Sequence, residues 1–327
     1  IGNHEFNFGL EVLQRANEDA EFPFLSANTV REGSEDPAFA AYSVEEAGPV
    51  RVGLLGLTTP RIPGWELPEH YQGLRFEPMD EAARQWVTVL REQERCDLVV
   101  VLAHTGFEHD PDTGEESGTD HEDFAWRLSH VPGIDVLFTG HSHRDIPPRQ
   151  IADVVVAQPA ARARVVTRVD LELEKDRGGW RVGSWQGENL AVGKAPAAAD
   201  VVAASADDRA RVVEALDARL VEVSEPVSVA GCRLADCAAL DLVHDVQLSA
   251  SDADLSLASL LTDRTPDLAP GPLTWRWVHA LYVYPNTLVA VEVTGAQIRD
   301  ILEHAARYYD GLDCPAEGRC TLLADPD

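Results

Sequence analysis

No run of about 18 consecutive apolar residues occurs in these 327 residues, so no segment is long enough to cross a bilayer as a helix. Basic residues are scarce: 27 Lys and Arg stand against 56 Asp and Glu, for a formal net charge of −29. Such a balance repels nucleic-acid backbones and anionic lipid. It removes polynucleotides from the expected partners and suits a secreted or high-salt setting. Cysteine is sparse, and none of the five lies in a Cys-x-x-Cys pair, which argues against a zinc or redox site of that spacing. Cys232 with Cys237, and Cys314 with Cys320, read instead as local disulfides of an oxidising compartment; Cys96, ahead of an apolar strand, reads as a buried thiol. There are no internal repeats.

What is present is an alternation of helical and apolar strand patterns from Gly2 to about Glu174, the mark of a layered α/β domain. "RVGLLGLTT" (Arg51 to Thr59) reads as a strand. "EAARQWVTVLREQERC" follows at helical spacing, and "DLVVVLAHTG" as a buried strand ending at His104. An acidic loop holding His109 and His121 leads to a helix near Phe124 to Ser129, and "IDVLFTGHSH" is a further strand running into His141 and His143. "VVVAQPAARARVVTRVDLELE" has the period-two alternation of antiparallel strands. The expected domains are 1–186, a linker and bridging helix over 187–223, and 224–327. In the last, "LADCAALDLVHDVQL" and "LTWRWVHALY" predict helices, "ADLSLASLL" and "NTLVAVEV" strands, and Thr294 caps a helix over "GAQIRDILEHAARYY".

Three strand ends carry polar, metal-capable residues: Asn3-His4, His104, and His141-x-His143. Ligands for a hydrolytic metal must converge from separate elements. In open α/β sheets that convergence falls beyond the carboxyl ends of the strands. The Gly before His141 permits a tight turn, and two imidazoles on one short loop can serve adjacent metal positions.

In this order, Gly-Asn-His-Glu, Ala-His-Thr-Gly and Gly-His-Ser-His resemble the motifs of calcineurin-like metallophosphoesterases, in the branch with an appended 5'-nucleotidase-type C-terminal domain. "GNHEFNFGL" and "LYVYPNTLVAVEVTG" are more similar to bifunctional 2',3'-cyclic-nucleotide 2'-phosphodiesterase/3'-nucleotidases than to plain 5'-nucleotidases, which usually carry Asp where Asn7 stands. The resemblance implies an α/β fold, a layered metallophosphoesterase sandwich followed by a partial α/β C-terminal substrate domain. It implies that Asn3, His104 and His141 ligate one of two divalent ions (Mn, Zn, Co or Fe) and His143 the other, with His4 facing the substrate phosphate. Tyr284 and Asn286 would meet the nucleobase.

The family takes further ligands, an Asp-x-His and a bridging Asp, from motifs ahead of Gly-Asn-His-Glu. With no initiator Met and an active-site motif at its first residues, the chain is expected to start inside a domain, with a weakened or empty metal site. The expected partner is a small nucleotide, the location secreted, periplasmic or cell-surface, and the state monomeric. A 5'-nucleotidase or UDP-sugar hydrolase is the alternative enzyme. A surface binding protein that keeps the scaffold after losing catalysis is the non-enzymatic one.

Overall fold

Parallel pairing of apolar strands sets the plan of the first unit. The computed structural model describes residues 1–117, 122–176, 179–193, 195–262, 264–284, 286–307, 309, 312–313 and 321–322. The chain divides into two units, Ile1–Ala195 and Pro196–Asp327.

In the first unit a 3-10 turn over Asn3–Phe6 precedes α1 (Leu10–Asp19), β1 (Thr29–Arg31), β2 (Tyr42–Ala47), β3 (Val50–Thr58), β4 (Leu74–Phe76) and α2 (Met79–Thr88). Then come β5 (Leu98–His104), α3 (Ala125–Ser129), β6 (Val136–Phe138), β7 (Ile146–Ile151), β8 (Val154–Gln158), β9 (Val165–Asp176) and β10 (Gly179–Ala191). Six strands form one sheet in the order β2-β3-β5-β6-β8-β7. β3, β5, β6 and β8 run parallel, and antiparallel β2 and β7 close the edges. This is the mixed α/β architecture expected, a central sheet flanked by helices. The strand ending at His104 and the short helix near residue 125 also fall where the pattern put them.

Parallel strands need crossovers, and the helical spacing of Ala83, Val87 and Leu90 supplies one. These residues are buried in a single cluster with Val99, Val101, Leu128 and Leu137, which covers one face of the sheet. The helix stops at Thr88 and continues as a π-turn over Val89–Gln93, rather than running to Cys96. On the other face β5 is not fully buried: Leu102 is 44% exposed and borders a cleft of about 640 Å³ that Leu54, Phe138 and His104 also line. β10 takes in residues 187–191, where composition suggested a linker, and pairs along its length with β9 as a long hairpin.

The second unit has α4 (Ala199–Ala204), α5 (Ala206–Asp217), β11 (Arg219–Val223), α6 (Ala238–Ser249), β12 (Gly271–Thr274), α7 (Trp275–Leu281) and α8 (Gly295–Ala306). The bridging helix ends at Asp217, and β11 pairs with β12 instead of prolonging it. Val229, Val243, Leu273, Trp277 and Leu281 pack around the Cys232–Cys237 disulfide. Cys96 is a buried free thiol as expected, whereas the pairing of Cys314 with Cys320 and the placement of His121 lie outside the described residues. Thr294 caps α8 through a reciprocal bond with Gln297. The predicted strands "ADLSLASLL" and "NTLVAVEV" do not form among the described residues; Leu255, Leu257, Val289 and Val291 are all exposed. Alternation makes a strand only where a ladder partner takes up the backbone N–H and C=O groups.

Gly56 lies where a Cβ would meet the Leu25 side chain at 2.3 Å and its backbone at 2.6 Å. Gly56→Ala should therefore destabilise the first unit by about 2–3 kcal/mol, read as a lower urea midpoint at unchanged slope.

Candidate active site at the strand ends

The carboxyl ends of β3 and β5 lie side by side, with Thr58 in register with His104. The first residues of the chain pack onto this edge. Thr58 Oγ1 donates to the Ile1 carbonyl at 2.8 Å, and His104 Nε2–H donates to Asn3 Oδ1 at 2.8 Å. Gly2 makes the approach possible, since a Cβ there would lie 2.8 Å from the His104 ring. β6 delivers the third piece: the Gly140 N–H donates to the Thr105 carbonyl, and the imidazoles of His104 and His141 stand 5.1 Å apart, centroid to centroid.

The Gly-His-Ser-His turn is held in an unusual conformation. His141 and His143 both have positive φ, 66° and 60°, in the left-handed region that side chains disfavour, at a cost on the order of 1–3 kcal/mol each. Gln158, fully buried at the end of β8, restrains the turn. Its Nε2–H donates to Ser142 Oγ at 2.9 Å and to the Arg144 carbonyl at 3.0 Å, while its Oε1 accepts from Thr139. Asp123, also buried, accepts the Gly106 N–H at 2.6 Å and places its charge near His141. Neither residue was singled out from sequence. Gln158 could have been, as an amide closing an otherwise apolar strand, but Asp123 is hidden among acidic loop residues.

Burial pushes the His104 imidazole down to about 3, helped by the neighbouring charges of His141, the Ile1 ammonium, His4 and His143. His141 is lowered too, first by burial, with Asp123 opposing. Both rings are thus held neutral, the form that ligates metals. Asn3 Oδ1, His104 and His141 fit one borderline-soft divalent ion as an oxygen and two nitrogen donors, and a proton now joins the first two. Among the described residues no group of three or more His, Cys, Asp or Glu side chains is close enough to hold a metal, and His143 is exposed. His4 is exposed as well, with Asn7 Nδ2 3.2 Å from its Nδ1. Tyr284, half-exposed, and Asn286, exposed, belong to the second unit, and the Asn286 N–H donates to the Tyr284 carbonyl.

Residues 213–317 match the 5'-nucleotidase C-terminal domain family. The 2',3'-cyclic-nucleotide 2'-phosphodiesterase/3'-nucleotidase of Salmonella typhimurium is 28% identical over 96% of this chain and 55% of its own length. The chain is similar to proteins of this description along nearly its whole length. The Haemophilus influenzae protein of the same description is 27% identical over 99% of the chain and 56% of its own length. The chain thus spans about half the length of these curated relatives. Among solved structures, a putative 5'-nucleotidase from Staphylococcus aureus in complex with alpha-ketoglutarate superposes with a TM-score of 0.79 at 28% identity, covering 98% of this chain and 61% of that one. The calcineurin-like phosphoesterase YfkN from Bacillus subtilis superposes with a TM-score of 0.58 at 25% identity, covering 65% of this chain and 69% of that one.

The depressed His104 value has a definite consequence for the metal-free chain. Unfolded, His104 takes up a proton near its ordinary 6.5; folded, it does so only near 3, so the unfolded state binds more protons between those values and stability falls as the pH drops through that window. Between pH 6.5 and 5 the loss from this group is at most about 2 kcal/mol. Urea unfolding at the two pH values should show it, and His104→Gln should flatten it.

Proposed function

We propose that the full-length protein hydrolyses nucleotide phosphoesters, with 2',3'-cyclic nucleotides and 3'-nucleotides as substrates. The observation that carries this reading is the convergence of Asn3, His104 and His141 at neighbouring strand ends, on a chain similar along 96% of its length to proteins described as cyclic-nucleotide phosphodiesterases/3'-nucleotidases. Asn3, His104 and His141 would hold one divalent ion, and His143 would serve a second. Two such ions supply an activated water and charge neutralisation for in-line displacement at phosphorus.

The chain's own residues account for the rest. The buried, neutral imidazoles stay available as ligands at ordinary pH because burial opposes their protonation. His4, one residue from Asn3 and exposed, can donate to a phosphate oxygen or to the departing alcohol. Asn7 offers that ring an amide instead of a carboxylate, the feature that favours the cyclic phosphodiesterase branch. In the second unit Tyr284 presents an aromatic face for stacking, and Asn286 an amide for a base edge. The Cys232–Cys237 disulfide supports a secreted, periplasmic or cell-surface location, and the protein is proposed to act as a monomer.

With Mn²⁺ supplied, the full-length protein should release phosphate from adenosine 2',3'-cyclic phosphate and adenosine 3'-phosphate much faster than from adenosine 5'-phosphate. His104→Ala or His141→Ala should lower kcat/KM on the order of 100-fold or more. Preference for the 5'-phosphate would instead assign the protein to the 5'-nucleotidases.

A further inference from the structure

Trp65 lies outside every motif named above, yet its indole meets His141, with ring centroids 5.2 Å apart and planes inclined at 49°. It is 43% exposed. An exposed tryptophan on a loose loop would mean little, but this segment is anchored. Ile62, three residues earlier, is fully buried in a cluster with Phe6, Leu13 and Leu74. The Trp65 N–H closes a turn on the Ile62 carbonyl at 3.1 Å, and Glu66 pairs with His70 at 2.8 Å. Phe6 belongs to the same short turn as Asn3 and His4. One apolar cluster therefore sets the position of the indole and of the Asn3-His4 pair together.

His104 contacts the His141 ring and Trp65 contacts it too. The polar, charge-binding part of the site is thus bordered by a fixed, half-exposed aromatic surface. A phosphoester has two parts of matching character, an anionic phosphoryl group and an organic alcohol. A phosphoryl group held by the strand-end donors would leave its alcohol beside the indole, where a flat ring system gains contact area that a short acyclic chain cannot. We propose that Trp65 is a specificity-determining residue that packs against the alcohol half of the phosphoester and favours esters of ring-bearing alcohols, nucleosides among them. The proposal rests on the phosphoesterase reading above and deepens it within the first unit.

The competing role for Trp65 is to prop the His141 ring, and the two roles differ in what they predict. Binding of two non-hydrolysable ligands, an adenosine 3'-methylenephosphonate and propylphosphonate, would be measured by calorimetry on the full chain with Mn²⁺, alongside the affinity for Mn²⁺ itself. Trp65→Ala should weaken the adenosine ligand about tenfold while leaving propylphosphonate and Mn²⁺ within about twofold, and Trp65→Phe should keep most of the preference. Equal weakening of both phosphonates, a parallel fall in Mn²⁺ affinity, or no change in either ligand would overturn the proposal. Because phosphonates do not turn over, failure of the protein to hydrolyse nucleotides would count against the phosphoesterase reading and leave this comparison standing.

Discussion

The hydrogen bond between His104 and Asn3 ties the first residues of the chain to the centre of the sheet, and the site is built around it. It spans 101 residues of sequence, and neither partner could reach the other without the parallel register of β3 and β5, which sets Thr58 beside His104. Gly2 gives the contact its room. The Gly140 N–H, bonded to the Thr105 carbonyl, then fixes the third strand end against the first two. A change that alters the register of β5 by one residue would turn His104 toward the helix-covered face and dissolve the cluster.

Electrostatics and strain follow from that placement. Two imidazoles within contact distance in a half-buried edge favour the neutral state, and burial is the larger cause for both. The left-handed backbone at His141 and His143 is disfavoured locally and held by Gln158 from the end of β8. Left-handed backbone and buried, neutral imidazoles gathered at one edge are features that concentrate at functional sites.

Much of the first unit was legible in the sequence because apolar strands and amphipathic crossovers carry strong periodic signals, and β3, β5 and α3 fall where those signals put them. The convergence of Asn3, His104 and His141 was legible through motif order, which encodes the strand-end rule. Gln158, Asp123 and Trp65 were not, because each acts through a contact fixed only when distant strands and loops meet. In the second unit the alternation of "NTLVAVEV" indicates a strand, but alternation reports only that one face is apolar. Pairing is a separate condition, and among the described residues Val289 and Val291 have no ladder partner and stand exposed. The capping box at Thr294 needed only residues three apart and was readable outright.

The central claim is that Asn3, His104 and His141 act as one ligand set. Its most direct test is a zinc titration of the chain labelled with ¹⁵N at histidine, followed by imidazole NMR. The account predicts that the His104 and His141 ring nitrogens shift together in the same step and that Asn3→Ala weakens this step. If zinc were collected only by histidines away from the strand ends, such as His70 or His279, with His104 and His141 unmoved, the account would be contradicted.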